Sequence, residues 1–228
     1  MKLPVVLVVL YDIHGNLPAL EAVLAEARDA DAYLLGGDYG TPSPWPRETL
    51  ERLRALPDAT WIRGNGERWI FERPEDRPEV GEAYDEFMPG PLSEDELAWL
   101  YALPPQAELD GVLYVHGCVV RDDDTFAPAP QPEDEARLGG VHDTTVVFGH
   151  SHLQFRRDGP NGTHLLNPGS VGMPLDGDVR AAWAVRRDDG EFEFRRTEYD
   201  IERAAAGWRR LGGDFGMFAA ERVERGRD

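Results

Sequence analysis

The feature that most constrains the fold is a valine-rich apolar run at 4–10 that ends abruptly in polar residues. Seven consecutive apolar residues predict a strand that is buried on both faces, as in the parallel sheets of α/β proteins. Leucines then recur at helical spacing from Leu17, which predicts a helix that extends to about Ala30. The order of strand, loop and helix within thirty residues predicts an alternating α/β fold.

The same pattern continues along the chain. Further strands are predicted at 32–35, 60–62, 112–115, 145–148, 164–166, 181–185 and 191–199, and helical segments at 50–56, 69–103 and 201–211. The segment Arg121–His142 is rich in Asp, Pro and Ala, which predicts a loop or lid. No internal repeat or linker divides the chain, so a single domain over 1–228 is predicted.

Composition excludes several classes of partner. The chain has 24 Lys or Arg and 43 Asp or Glu, a formal charge of −19, which argues against extended nucleic acid and against an anionic membrane surface. Cys118 is the single cysteine, so no intramolecular disulfide and no thiolate zinc cluster can form. No stretch approaches the roughly 18 apolar residues of a membrane span. We expect a soluble cytoplasmic protein, and a homo-oligomer remains open.

Polar side chains that can bind metals follow five of the predicted strands. Asp12 and His14 lie two residues apart after a buried strand, so both side chains point the same way if the chain stays extended. The full set of donors is Asp12, His14, Asp38, Asn65, His116, His150 and His152. Alone, each Asp would more often cap a helix or turn and each His would more often be a core residue. Together, the mixed carboxylate and imidazole set suits zinc, manganese or iron.

These motifs carry a resemblance to a known family. The stretches are Asp-x-His-Gly-Asn at 12–16, Gly-Asp at 37–38, Gly-Asn at 64–65, His-Gly at 116–117 and Gly-His-Ser-His at 149–152. In this order they resemble the calcineurin-like metallophosphoesterase superfamily, and Asn-Pro-Gly-Ser-Val-Gly at 167–172 resembles its small prokaryotic phosphodiesterase branch. The resemblance implies a four-layer α/β/β/α sandwich of two mixed sheets with a dimetal site at one edge.

The resemblance also implies roles for the donors. Asp12, His14 and His152 would hold one ion, Asn65, His116 and His150 would hold the second, and Asp38 would bridge both. Two divalent transition-metal ions are expected, manganese favoured, with iron, zinc, nickel or cobalt as alternatives. A hydroxide held between them would attack phosphorus in line. Asp38 and Asn65 thereby serve catalysis as well as metal binding.

Four further residues are weighed beside the metal ligands. Asn16 and Glu67 would orient ligands, or equally cap a helix and a turn. Arg63 matches an arginine that contacts phosphate in related protein phosphatases; the alternative is a structural ion pair. Relatives carry a histidine acid where this chain has Gly66, and His142 is the candidate substitute, the alternative being a loop histidine.

The expected function is a phosphodiesterase acting on a small nucleotide or cyclic nucleotide. The alternatives are a non-catalytic metal-bearing scaffold that binds a protein partner, a phosphomonoesterase and a dinucleoside polyphosphate hydrolase; the acidic charge disfavours a nuclease. The Asp triplet at 122–124 is expected to repel polyanionic substrates from the site, unless it is only a solvated run.

Overall fold

The computed structural model describes residues 6–40, 42–87 and 90–227. Within these ranges ten strands form two sheets, and eight helices accompany them. The strands are β1 (Leu7–Leu10), β2 (Ala32–Leu35), β3 (Ala59–Trp61), β4 (Gln106–Leu109), β5 (Val112–Val115), β6 (Thr145–Val147), β7 (Gln154–Asp158), β8 (His164–Pro168), β9 (Ala181–Arg186) and β10 (Phe192–Thr197). The helices are α1 (Leu17–Glu26), α2 (Pro46–Arg54), α3 (Asn65–Arg68), α4 (Pro78–Phe87), α5 (Glu94–Tyr101), α6 (Asp134–Leu138), α7 (Ile201–Leu211) and α8 (Gly213–Arg225).

Both sheets are mixed. The first has the order β10-β9-β1-β2-β3, in which β1, β2 and β3 run parallel and β9 is antiparallel to both of its neighbours. The second has the order β4-β5-β6-β8-β7, with β5, β6 and β8 parallel and the two edge strands antiparallel to their neighbours. Parallel strands end at a common edge, so the loops that follow them in each sheet are gathered there.

The first strand shows why the chain forms two sheets face to face. Leu7 and Val9 belong to the core between the sheets, with Val147 of β6 across from them. Val8 and Leu10 belong to the core on the other face, beneath α1. Because successive side chains point to opposite faces, an unbroken apolar run buries both. The predicted α/β sandwich of two mixed sheets is confirmed.

The outer face of the second sheet is covered by the segment 118–141, which contains only the short helix α6. Phe126 and Leu138 have no exposed surface and pack with Phe148, which follows β6. Apolar side chains anchor the segment, so it is a packed layer of the fold. The predicted loop at 121–142 is confirmed apart from α6, and the alternative of a lid is corrected, because the segment packs on the second sheet.

Some elements differ from the sequence-based prediction. The helices α6 and α8 and the strands β4 and β7 have no counterpart in it. The predicted helical region 69–103 contains α4 and α5 with turns between them, and α1 ends at Glu26, before Ala30. Of the predicted strand 4–10, residues 4 and 5 lie outside the described residues. None of the helices in the described ranges combines the length and the hydropathy that crossing a membrane requires.

Candidate metal centre

The structure brings the seven predicted donors to one edge of the sandwich. Asp12 and His14 follow β1, Asp38 follows β2, and Asn65 begins α3 after β3. From the second sheet, one histidine follows β5 and two follow β6, namely His116, His150 and His152. Each sheet thus contributes ligands from the carboxyl ends of its parallel strands.

The first group of donors converges on the Asp12 carboxylate. Its Oδ1 atom lies 3.6 Å from Nε2 of His152 and 4.0 Å from Nε2 of His14. The two imidazole Nε2 atoms are themselves 3.0 Å apart. Three ligand atoms this close match the spacing of donors around one ion.

The second group lies around Asp38 and His116. Oδ1 of Asp38 is 3.5 Å from Nε2 of His116, and Oδ2 is 3.8 Å from Nε2 of His14. Oδ1 of Asn65 lies 2.9 Å from the same His116 nitrogen. The two oxygens of Asp38 therefore face different histidines, which is the placement a bridging carboxylate requires.

His150 is joined to both groups less directly. Its backbone N–H donates to Oδ2 of Asp12 over 3.0 Å, and its ring packs edge-on against His116 with centroids 5.5 Å apart. It lies beside the second group. Its assignment to the second ion remains a proposal.

One orphaned atom shows that a cation fits the site. Oδ1 of Asp12 is fully buried and has no hydrogen-bond partner among the described residues, although three imidazole Nε2 atoms lie within 4.0 Å. The Nδ1 atoms of His116 and His152 are placed to donate to the carbonyls of Gly36 (2.8 Å) and Met173 (2.7 Å), which leaves each Nε2 lone pair facing inward. A buried oxygen facing several imidazole lone pairs is the donor chemistry of a metal site.

The pKa values of the ligands also indicate a site that binds a cation. Burial lowers the pKa of His14, His152 and His150, the last to about 4, so these imidazoles are neutral ligands at neutral pH. Burial raises the pKa of Asp12 to about 8, because an ionised carboxylate is costly there without a cation. At His116, burial acts to lower the pKa, but Asp38 and Asp12 outweigh it and raise the pKa to about 9. The raised pKa values of Asp12 and His116 show that the carboxylates of the centre favour added positive charge, and the three neutral imidazoles are free to act as metal ligands.

The ligand loops are held in a strained backbone conformation. Five donors have φ between 47° and 65°, a left-handed region that non-glycine residues rarely adopt, namely Asp12, His14, Asp38, His150 and His152. Backbone bonds lock two of these loops together, since the N–H groups of Asp12 and His14 donate to the carbonyls of Gly37 and Asp38. The strain redirects side chains at strand ends toward one point.

Glu67 holds the Asp38 loop in place. Its buried carboxylate accepts the backbone N–H groups of Asp38, Tyr39 and Gly64 at 2.8–2.9 Å. Asn16 caps α1 by accepting from Ala19 N–H. Glu67 thus holds the loop of a ligand and Asn16 caps a helix, and an orienting role for Asn16 stays a prediction.

The segment at 167–172 connects the two sets of ligand loops. The Asn167 amide donates to the Gly149 carbonyl, and the Ser170 hydroxyl donates to the carbonyl of Asp12 over 2.7 Å. A Cβ atom at Gly172 would lie 1.8 Å from the carbonyl oxygen of Ile13, so only glycine allows this approach. The segment thus acts by fixing the loops that carry the ligands.

Gly66 leaves little room for a side chain. A Cβ atom at this position would lie 2.8 Å from Oδ1 of Asp38 and 3.3 Å from the hydroxyl of Tyr84. The Tyr84 hydroxyl donates to the Gly66 carbonyl. Tyr84 therefore occupies the space beside Gly66.

His142 is not brought to the centre. It lies at the start of β6, whereas His150 and His152 follow the end of that strand. Its imidazole is exposed and pairs with Asp143 over 3.1 Å. The proposed role as substitute acid is therefore corrected, because the length of β6 separates His142 from the ligands.

Arginines pair with all three aspartates of the triplet and offset their charge. Asp122 and Asp123 both accept from Arg68, and Asp124 pairs with Arg137 at 2.9 Å. The triplet is thus part of the packed outer layer, and this pairing argues against the expected repulsion of anions.

Arg63 lies in a second cleft of about 500 Å³ that reaches His116 from another side. Its guanidinium donates to the Tyr101 carbonyl over 2.9 Å and lies 5.1 Å from that ring. Cys118 lines the same cleft but is buried, which raises its thiol pKa. A phosphate contact for Arg63 remains a prediction, and Cys118 fits a small core residue.

A larger cleft of about 750 Å³ opens directly onto the metal ligands. Besides the donors it is lined by residues that the sequence reasoning missed, among them Trp69, Arg77, Tyr84, Thr125, Trp208, Phe215, Phe218 and Arg222. Most of these come from α4, α7 and α8 and the turns beside them. No motif marks them, because their placement depends on how these helices pack.

The fold and the centre define a metallophosphoesterase. The sequence model of the calcineurin-like phosphoesterase superfamily domain matches residues 5–189, so this chain belongs to that superfamily. The predicted resemblance is confirmed, and the chain is a member of a family of phosphoester hydrolases.

Comparison with solved structures and curated proteins found the following similarities. A metallophosphoesterase from Sphaerobacter thermophilus is similar over 97% of this chain and 99% of its own, with a TM-score of 0.80 and 26% identity. The E. coli phosphoesterase Yfce is similar over 85% of this chain and 100% of its own, with a TM-score of 0.49 and 21% identity. An uncharacterised protein of Methanocaldococcus jannaschii is 26% identical over 220 residues, 86% of this chain and 88% of that protein.

Proposed function

We propose that the protein is a metal-dependent phosphodiesterase that acts on small nucleotides or cyclic nucleotides. The single observation that carries the proposal is the buried Oδ1 atom of Asp12, which has no hydrogen-bond partner in the described part of the chain and faces three imidazole nitrogens. Leaving such an oxygen unsatisfied is costly, so its position indicates a ligand atom. Two ions in this centre would account for all seven donors.

Each donor has a defined task in this proposal. Asp12, His14 and His152 hold one ion, Asn65, His116 and His150 hold the other, and Asp38 serves both. When bound, two divalent ions supply an activated water and neutralise charge that develops on the phosphoryl oxygens. The mixed oxygen and nitrogen set suits manganese, with iron, zinc, nickel and cobalt as alternatives.

The chain's own residues fix the ligands and provide no acid at position 66. Glu67 holds the Asp38 loop through three backbone N–H groups. Gly66 has no side chain to protonate a leaving group, and the Tyr84 hydroxyl already donates to the Gly66 carbonyl. The substrate's leaving group must therefore depart without a proton from this position.

A non-catalytic scaffold that binds a protein partner is the alternative function. A scaffold would not need a complete ligand set, whereas all seven donors are present and meet at one edge. The wide cleft that opens onto them also supports an enzyme, because a phosphoester can reach the ligands directly.

The test is to strip the protein with a chelator, reload it with manganese, iron, zinc, nickel or cobalt, and assay bis(4-nitrophenyl) phosphate, phosphomonoesters and dinucleoside polyphosphates. Two ions per chain and manganese-dependent diester hydrolysis are expected. Asp38→Asn should abolish both, and the exposed Asp29→Asn should change neither. One ion at saturation would contradict the dimetal centre, and full loading without hydrolysis of any ester would favour the scaffold.

A further inference from the structure

The large cleft has more volume than a phosphoryl group needs. Its volume of about 750 Å³ falls within the range of pockets that enclose whole small-molecule ligands. The metal ligands form only one end of it. The remaining wall is apolar and aromatic, with Trp69, Met173, Leu175, Phe215 and Phe218 among its residues.

Part of this wall comes from the helices that follow the matched superfamily domain. The helices α7 and α8 pack on each other and on Met173, and they lie beyond residue 189. The Met173 carbonyl in turn pairs with Nδ1 of His152 over 2.7 Å. The helix pair is therefore positioned by the same segment that orients a metal ligand.

Phe218 is the accessible aromatic surface of this wall. Half of its side chain is exposed (50%), although most large apolar residues of the described chain are buried. The guanidinium of Arg222 lies 4.2 Å from the ring centroid, a cation–π contact that steadies both groups. A half-exposed ring inside a cleft is a surface on which a second flat ring can stack.

Two arginines provide positive charge at the cleft. Arg77 lies over the Trp69 ring at 5.7 Å, and Arg222 lies over the Phe218 ring. Both arginines line the same cleft as His14, His150 and His152. The cleft therefore carries positive charge beside the ligands, which favours a phosphate anion there.

We propose that this cleft binds a phosphodiester whose retained arm is a nucleoside, with the base stacked on Phe218 and the phosphate between Arg77 and Arg222. A nucleobase fits better than an alkyl chain, because the cleft lining combines aromatic rings with the charged side chains Asp214, Arg77 and Arg222, and a base offers both a flat face and polar edges. This inference rests on the proposed function and names the substrate class that the C-terminal helices select.

A kinetic test uses two esters that share one leaving group. The 4-nitrophenyl ester of thymidine 5′-monophosphate carries a base, and methyl 4-nitrophenyl phosphate does not. Loss of base stacking predicts that Phe218→Ala lowers kcat/KM about tenfold more for the thymidine ester than for the methyl ester. Phe218→Tyr should restore the ratio. Met217→Ala, on the same helix but outside the cleft lining, should leave the ratio at the wild-type value.

A binding test does not depend on catalysis. In the chelator-treated protein, calorimetry should show adenosine 5′-monophosphate binding at least about tenfold more tightly than inorganic phosphate. Phe218→Ala should remove most of this advantage, and Arg77→Gln should weaken both ligands. Arg225→Gln, which breaks only a surface pair with Glu221, should weaken neither.

The outcomes separate this inference from the proposed function. Two results would overturn the nucleoside site and leave the proposed phosphodiesterase activity intact. One is that both esters are hydrolysed and Phe218→Ala does not change the ratio of their kcat/KM values. The other is that the nucleotide binds no more tightly than inorganic phosphate. If the protein cleaves neither ester but binds the nucleotide in a way that depends on Phe218, the nucleoside site is supported and the proposed phosphodiesterase activity is overturned.

Discussion

At the scale of single residues, Gly66 shows how tightly the centre is packed. A Cβ atom there would lie 2.8 Å from Oδ1 of Asp38, and the Gly66 N–H donates to that same oxygen over 2.7 Å. The backbone at Gly66 is not in the left-handed region, so the constraint is contact and not φ. Side chains at this position therefore compete with the bridging carboxylate for space.

We expect Gly66→Ala to displace Asp38 and to lower metal occupancy below two ions, with at least a tenfold loss in kcat/KM. Metal analysis and diester hydrolysis measure both effects. Gly81→Ala is the matched control, because an added Cβ atom in α4 would meet only the Arg73 side chain at 3.9 Å. Two ions and full activity in Gly66→Ala would show that a Cβ atom at this position does not displace Asp38 from the ions.

The absence of a side chain at position 66 also predicts how rate depends on the leaving group. General acid assistance is typically worth about 10²- to 10⁴-fold. Without it, nitrophenyl esters should be cleaved faster than alkyl esters of similar size by a comparable factor. Rates for a series of diesters with graded leaving-group pKa measure this dependence. If the rate varies little with the pKa of the leaving group, an acid is present that the geometry does not identify.

At the scale of elements, the outer segment 118–141 carries charge that stabilises the fold. The Arg68 guanidinium, one-fifth exposed, makes a two-point contact with Asp122 and also reaches Asp123. Such pairs, only partly accessible to solvent, belong to the upper end of the range for surface salt bridges. The segment is therefore tied to α3, which begins with Asn65.

We expect Asp122→Asn to lower the free energy of unfolding by about 1 kcal/mol. Because the charge is already paired, the variant should not improve kcat/KM for multiply charged nucleotides over singly charged diesters. Urea unfolding and kinetics with both substrate classes check this, with the exposed Asp29→Asn as control. A selective gain for polyanions would restore the view that the triplet faces the substrate.

The elements also show what the sequence can predict. The strand β1 can be predicted from the sequence because both of its faces are buried and its composition is therefore uniformly apolar. The edge strands β4 and β7 contain exposed polar residues that alternate weakly, and only pairing with a neighbour defines them. The metal ligands can be predicted because they recur at the ends of predicted strands. The role of Phe218 and Arg222 cannot be predicted from the sequence, because their place at the cleft depends on the packing of α7 against α8.

At the scale of the whole molecule, the centre holds the two sheets together. Asp12 and Asp38 come from the first sheet and His116 and His152 from the second, and their ligand atoms lie within 4.8 Å of one another in two groups. Ions bound there would cross-link the sheets at an edge where buried carboxylates and strained loops otherwise oppose folding. In a chain of net charge −19, this added positive charge also offsets general repulsion.

Removing the metal should therefore destabilise the whole protein and not only its activity. An ion at a hundredfold excess over its Kd adds about 2.7 kcal/mol to the free energy of unfolding. For a chain of this length each kcal/mol shifts Tm by about 2–4 °C, so chelation should lower Tm by about 5–10 °C and manganese should restore it. Circular dichroism melts of stripped and reloaded protein measure the shift. The Asp38→Asn variant should melt at the same temperature with and without manganese, because it lacks the ligand that both ions share. Equal Tm values for stripped and reloaded wild-type protein would mean that the centre does not bind ions in the folded state.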